Sequence, residues 1–310
     1  MPEKPNETTL ELPSYCKINW HLRVLGKRAD GFHELCTVFQ TVSLGDRLFF
    51  SPSEELSLTS DDPSVPTGED NLIIRAGRLL QARFQIKKGA RIHLEKRIPS
   101  PGGLGGGSSN AAVALLALAR LWDLDVEFSE LLDLARKLGS DVPFFLYGGT
   151  ALGAGRGTEI FPLPEIEEKF ILIVTPDEKI STAEAFARLN ATGLTKAESK
   201  SILQICRKEA QTLDLRQKDL INDFEESVFR AAPEIKRVKT ALLELGSRQA
   251  LLSGSGASVF GVFDTEETRQ TAQKALASER DWRSFAVATV SRAEYRAALD
   301  RAYQFASDSF

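Results

Sequence analysis

The sequence predicts an α+β fold, and three observations carry that expectation. Stretches that alternate polar and apolar residues with a period of two are interspersed with stretches of helical period, in no regular strand–helix–strand order. The mixture shifts near residue 165, after which helical patterns dominate. A run of glycines lies flush between a strand pattern and an alanine- and leucine-rich helix pattern, a place where flexible linkers are rare. The shift divides the chain into residues 1–165 and 166–310, and residues 1–13, with their acids and prolines, read as a short mobile tail.

From the N-terminus, residues 14–50 read as strands. In the segment Tyr15 to Leu22 the polar Lys17, Asn19 and His21 alternate with Ile18, Trp20 and Leu22, which sets the two groups on opposite sheet faces. Residues 70–84 predict a helix capped by Asp70 or Asn71. Residues 90–98 alternate again and stop at Pro99. The glycine run follows, then helices over about 110–122 and 129–138. Residues 143–161 read as glycine-rich hairpin strands and 170–174 as a buried strand. Helices are then expected near 182–190, 200–211, 218–230 and 234–246, followed by strands near 248–253 and 258–263. A helix near 266–278, a strand near 284–291 and a C-terminal helix complete the reading. There is no internal repeat and no low-complexity tract.

Composition narrows the function. The 310 residues are 42% hydrophobic and 26% charged, enough for a true core. A net charge of −4 without a basic run argues against nucleic acid or an anionic membrane as the main partner. Cys16, Cys36 and Cys206 form no Cys-x-x-Cys pair, which disfavours a disulfide framework or structural zinc and suits a reducing cytoplasm. The first residues lack the arginine and apolar stretch of a targeting segment, and nowhere do eighteen apolar residues run together.

The stretch Pro99-Ser100-Pro101-Gly102-Gly103-Leu104-Gly105-Gly106-Gly107-Ser108-Ser109-Asn110 carries the chemistry. Five glycines in six positions lose backbone entropy on ordering, yet a helix follows at once. Successive backbone N–H groups at the positive end of a helix dipole make an anion site. The hydroxyls of Ser108 and Ser109 are placed to cap the helix or to reach a phosphate or metal; a flexible turn with a serine cap is the competing reading. A P-loop is excluded because no lysine follows the glycines, and a dinucleotide fingerprint begun at Gly103 fails at Ser108.

This string resembles the second motif of the GHMP kinases, and the segment Leu252 to Phe260 (LSGSGASVF) resembles their C-terminal glycine motif. Lys17-Ile18-Asn19, the block Gly26 to His33 (GKRADGFH) and the block Gly139 to Phe145 (GSDVPFF) resemble a branch of the family that phosphorylates a cytidine-diphosphate-linked methylerythritol. The resemblance spans about residues 14–300 and implies an N-terminal domain like ribosomal protein S5 joined to a ferredoxin-like C-terminal domain, with the active site between them. It implies ATP as phosphate donor, Mg²⁺ with it, and a small-molecule alcohol as acceptor.

The same resemblance implies roles. Asp141 matches the family's catalytic aspartate, which orients the substrate hydroxyl and accepts its proton; capping a helix that starts near Val142 is the competing role. Lys17 matches the catalytic lysine, and a solvated strand lysine is its alternative. Pro99, Gly102 to Gly107 with Leu104, Ser108 and Ser109 fall to the ATP phosphates, and Asn71 and Lys96 to the adenine pocket. Asn19, Phe32, His33, Ser181, Thr182 and Phe186 fall to the substrate, with Phe32 standing where the family usually has tyrosine. Phe186 reads equally as a core residue of its helix. No carboxylate pair offers itself for Mg²⁺; Ser109 is a candidate ligand. Homoserine and mevalonate kinases, or a silent GHMP-fold sensor, are the alternatives. The His33 block argues against the first two and the presence of both Lys17 and Asp141 against the third.

Overall fold

The computed structural model describes residues 10–189, 204, 208 and 220–300. The helix expected near 200–211 falls outside these except at Gln204 and Lys208. Among the described residues, ten strands make two sheets. The first holds β1 (Leu10–Lys27), β2 (His33–Ser53), β3 (Leu56–Ser60), β4 (Gly89–Glu95), β5 (Thr150–Gly155) and β6 (Glu159–Pro162), in the order β3-β4-β2-β5-β6 with β1 also on β2. The long β2 organises this sheet. Its first half pairs with β5 and its second half with β4, while β1 runs antiparallel along its length from Leu10↔Phe50 to Lys27↔His33. The strand β1 begins within the stretch expected as a tail, because Leu12 is an apolar residue with a core to enter. The sequence reading did not include β3, which adds parallel to β4.

Four helices cover one face of this sheet: α1 (Leu72–Phe84), α2 (Gly106–Leu121), α3 (Phe128–Leu138) and the single turn α4 (Phe144–Tyr147). Every residue of α2 from Ser109 to Ala119 is buried, so it is the centre of the first core rather than an amphipathic cover. It starts at Gly106, four residues before the sequence expectation. Glycine is a poor helix former, so propensity reads Gly106 and Gly107 as loop, and tertiary packing overrides it.

The second sheet has the order β10-β7-β9-β8, formed by β7 (Ile171–Pro176), β8 (Gln249–Leu252), β9 (Val259–Val262) and β10 (Trp282–Val287), all antiparallel. Helices α5 (Thr182–Arg188), α6 (Glu225–Ala231), α7 (Pro233–Glu244) and α8 (Glu266–Leu276) accompany it. Ile18, Trp20 and Val38 of the first sheet pack against Ile171, Ile173 and Phe260 of the second, with Trp20 edge-on to Phe260 at 5.3 Å between centroids. The last helix, α9 (Arg292–Asp300), returns to the first core, where the Tyr295 hydroxyl donates to the Phe145 carbonyl at 2.6 Å. A side chain at Gly148 would meet the Tyr295 ring at 2.2 Å, so only glycine allows that closure. Among the described residues no helix is long and apolar enough to cross a membrane.

Candidate active site

A cleft of about 800 Å³ opens where the glycine run, the β1–β2 turn and the start of α5 face one another. Both faces of β1 are covered, so Lys17 and Asn19 are buried, at 3% and 1% exposure, despite their polarity. Ile18 and Trp20 face the second sheet, and period two turns Lys17 and Asn19 to the opposite side, beneath the glycine run. The Lys17 N–H donates to the Leu104 carbonyl at 2.9 Å, which ties strand to loop.

The loop closes against the second sheet's own glycine turn. Gly103 has φ +69°, and a side chain there would lie 2.1 Å from the Ser253 carbonyl oxygen. The Ser253 hydroxyl donates to the Gly103 carbonyl at 3.0 Å, and the Ser258 N–H donates to that of Gly102 at 3.1 Å. Gly105 is the N-cap of α2 and supplies no side chain to it, and the first intrahelical bond found is Ser109 N–H to the Gly105 carbonyl. The amides of Gly106, Gly107 and Ser108 therefore have no intrahelical acceptor and sit at the positive end of a sixteen-residue helix. Gly107 has nothing within 4 Å of where its side chain would be. Unpaired amides at a helix N-terminus have the geometry that anion binding requires.

The Lys17 ammonium lies at the mouth of that site. Nζ donates to Asn19 Oδ1 and to the Gly103 carbonyl, both at 2.7 Å, and stands 3.8 Å from Asp141 Oδ2. Asn19 is itself fixed, its amide donating to the Thr37 hydroxyl at 2.7 Å. Burial pushes the Lys17 ammonium below the ordinary lysine value, and the Asp141 charge opposes that displacement. Asp141 is a third exposed and faces the cleft. The capping alternative does not apply: α4 starts after Pro143 and takes no side-chain cap.

At the other end of the cleft lie the aromatics. His33 stacks on Phe186 with centroids 4.8 Å apart and planes 22° from parallel, and Phe186 meets Phe224 edge-on at 4.8 Å. Burial, then the nearby Lys27, lowers the His33 pKa, which favours the neutral ring and leaves it one donor and one acceptor nitrogen. Phe32 is 48% exposed at the β1–β2 turn. Ser181 caps α5 in a capping box with Glu184, and the Thr182 and Ser255 hydroxyls pair at 3.1 Å across to the second glycine turn.

Lys17, Asn19, Phe32, His33, Pro99, Gly102 to Gly107, Leu104, Ser108, Asp141, Ser181, Thr182 and Phe186 all line this cleft. Asn71, Lys96 and Ser109 do not line it. Asn71 caps α1, its Oδ1 accepting from the Ile73 N–H at 2.8 Å. The Lys96 ammonium is taken up by Asp46 at 2.7 Å and the Ile98 carbonyl at 2.6 Å. Ser109 is inside α2, and its hydroxyl accepts from Ser14 at 2.8 Å, facing the core and not a metal. Lys96 and Ser109 belong to a network under the loop, in which Asp46 also accepts from the amides of Arg97 and Ile98 and from the Asn110 side chain. Sequence reasoning missed Thr37, Arg156, Phe224 and Ser255 in the lining. Only Ser255, inside a glycine motif, and Arg156, between two glycines, carried a local signal.

Comparison with known proteins places this geometry. Residues 71–149 match the GHMP kinases N terminal domain, and residues 185–280 match GHMP kinases C terminal. A 4-diphosphocytidyl-2-C-methyl-D-erythritol kinase of Solibacter usitatus is 39% identical over 296 residues, which cover 94% of this chain and 92% of that one. The chain is a GHMP kinase. This GHMP kinase is also 41% identical over 266 residues to a protein of the same name from Pelotomaculum thermopropionicum, covering 83% and 91% of the two chains. A crystal structure of 4-(cytidine 5'-diphospho)-2C-methyl-D-erythritol kinase matches with a TM-score of 0.73 and 34% identity, over 90% of this chain and 99% of that one. A homoserine kinase from Cytophaga hutchinsonii matches at 0.68 with 19% identity over 94% and 97%, and shares the fold. The α+β, two-sheet architecture of the GHMP kinase is thus the one the resemblance implied.

Proposed function

We propose that this GHMP kinase transfers the γ-phosphate of ATP to the 2-hydroxyl of 4-diphosphocytidyl-2-C-methyl-D-erythritol, giving the 2-phosphate and ADP, a step of non-mevalonate isoprenoid biosynthesis. The observation that carries the reading is that relatives of this name are 39% and 41% identical over more than four-fifths of the chain. The cleft's layout supports it, with an anion loop at one end, a ring cluster at the other, and Lys17 and Asp141 between them.

Phosphoryl transfer runs through a loose transition state, so positioning and charge neutralisation supply most of the rate. The amides of Gly106, Gly107 and Ser108 hold the donor's phosphates. The substrate hydroxyl docks on Asp141, which takes its proton as the new O–P bond forms and the bond from the γ-phosphorus to the β-bridging oxygen breaks. Lys17, fixed by Asn19 and Gly103, neutralises charge on the transferred group. Phe32 and Phe186 stack the cytosine, and His33 reads its edge; a wrong base leaves a ring nitrogen unpaired beneath it.

Among the described residues no group of three or more His, Cys, Asp or Glu side chains gathers to hold a metal. Mg²⁺ would fit instead as a companion of the ATP phosphates, and the Asp141 carboxylate and Ser108 hydroxyl of the cleft lining would be able to hold it. When bound it neutralises phosphate charge. The buried Cys16 and Cys36 side chains suit a reducing cytoplasm.

The test is ADP release in a coupled assay with ATP, Mg²⁺ and one acceptor at a time: 4-diphosphocytidyl-2-C-methyl-D-erythritol, homoserine or mevalonate. Turnover with the first alone upholds the proposal. Turnover with either of the others and none with the first overturns it.

A further inference from the structure

Arg156 is the charged residue of the cleft lining for which the reaction above has no use. It sits at the tip of the β5–β6 turn between Gly155 and Gly157, whose φ values are +65° and +86°. The Gly157 N–H donates to the Ala154 carbonyl at 2.9 Å, so the turn is closed. The side chain leaves it toward the β1–β2 turn, where the guanidinium carbon lies 3.6 Å from the centroid of the Phe32 ring. At that distance a planar guanidinium covers one face of the ring. The Arg156 Nε is buried and has no hydrogen-bond partner among the described residues.

Phe32 needs such a backing. It is the most exposed large apolar side chain among the described residues, and Arg156 is the only ring or cation partner it has among them. Its backbone is pinned: Arg28 N–H donates to the Phe32 carbonyl at 2.8 Å, and the Phe32 N–H donates to Asp30 Oδ1 at 3.2 Å. Its ring is not pinned by anything in the same turn. Desolvation, which alone would raise the Asp30 carboxyl, is outweighed by the Phe32 N–H, Arg28 and Arg156, so the arginine's charge also reaches the base of this turn. Two hairpin tips, far apart in sequence, are therefore joined through one cation and one ring.

We infer that Arg156 is a positioning residue for nucleotide recognition: its guanidinium backs one face of Phe32, so that the opposite face is held ready to stack on a pyrimidine. The inference rests on the proposed reading of Phe32 as the base platform. Arg156 acts through Phe32 and touches no reacting atom. A backing cation at a half-exposed site changes pyrimidine affinity by roughly two- to five-fold.

Calorimetric titration of CDP and of cytidine into the wild type, Arg156→Ala, Arg156→Met, Phe32→Ala and the double variant Arg156→Ala/Phe32→Ala decides it. Arg156→Met keeps the aliphatic packing should the alanine variant fold poorly. The expected result is an equal loss for both ligands in either Arg156 variant, roughly two- to five-fold, with no further loss when Phe32 is already alanine. In turnover, the same factor then enters KM for the nucleotide substrate while kcat holds. A loss seen with CDP but not cytidine, and persisting without Phe32, means that the guanidinium grips the diphosphate directly and overturns the inference. If Phe32→Ala binds both ligands as the wild type does, the platform is not there and the inference falls. Turnover in the acceptor assay would still uphold the reaction in that case, so the two failures are separable.

Discussion

Replacing Asp141 by asparagine removes a charge and a proton acceptor while keeping the shape of the side chain. The Lys17 ammonium stands 3.8 Å from the carboxylate, where two unit charges attract by about 1 kcal/mol in water-like screening and about 4 kcal/mol at an effective dielectric of 20. Asp141 is a third exposed, so the lower part of that range applies. Loss of the proton acceptor lowers kcat by roughly 10² to 10⁴. A second effect follows from burial: without the carboxylate, the desolvation that already lowers the Lys17 pKa is unopposed. The alkaline limb of log kcat against pH, where Lys17 loses its proton, then moves to lower pH in the variant. Coupled ADP release across the neutral and alkaline range measures both. A plateau near the wild-type value refutes Asp141 as the proton acceptor, and a limb that does not move refutes the coupling to Lys17. Stability runs the other way. The folded pKa of Lys17 lies below its unfolded value, so between the two the unfolded chain binds more protons and Lys17's contribution to stability rises with pH. The Tm of the wild type minus that of Lys17→Met should therefore climb as the pH rises through that window toward 10.5; a flat difference would contradict the burial argument.

Four further outcomes are expected. Phe186→Leu should weaken CDP roughly 5- to 100-fold in calorimetry while leaving KM for ATP near its original value; equal losses for both nucleotides would place Phe186 elsewhere. Gly103→Ala should destabilise the fold by at least about 2 kcal/mol, because its side chain meets the Ser253 carbonyl at 2.1 Å in a left-handed conformation. Gly107→Ala, with open space around it, should keep Tm or raise it and yet raise KM for ATP; an unchanged KM would remove the phosphate from that face. Asp46→Asn should cost about 3 kcal/mol in denaturant unfolding, since it leaves the buried Lys96 ammonium without its charge partner; a loss under 1 kcal/mol would refute that role.

What the sequence made legible was local. Period-two alternation in β1, the Asn71 cap and the flush glycine run are properties of neighbouring residues, and the strand, the capped helix and the helix that follows the glycines are present. The faces of β1 were a different matter. Alternation predicts one polar side and one apolar side, but not that a second sheet covers the apolar side and a loop from ninety residues away covers the polar one. That is why Lys17, which reads as a solvated lysine by itself, is buried. Register also intrudes: a bulge between Asn19 and His21 resets the pairing with β2, so period two alone does not carry Asn19's surroundings over to His21. The resemblance gives Asn71 and Lys96 to the adenine pocket and Ser109 to the phosphates; that Asp46 and Ser14, remote in sequence, hold the side chains of Lys96 and Ser109 is something no local pattern encodes. Arg156 and Phe32 meet only because two hairpin tips converge, which no local pattern encodes.

The central claim, a phosphoryl transfer organised by Lys17 and Asp141 on a cytidine-diphosphate-linked alcohol, is tested most directly by phosphorus NMR. The protein is incubated with ATP, Mg²⁺ and 4-diphosphocytidyl-2-C-methyl-D-erythritol beside an Asp141→Ala control. A new monophosphate ester signal that grows with ADP while the substrate's diphosphate resonances persist, and that is missing in the control, is the predicted result. ADP and inorganic phosphate without an ester, or an ester formed equally by the control, would contradict the account.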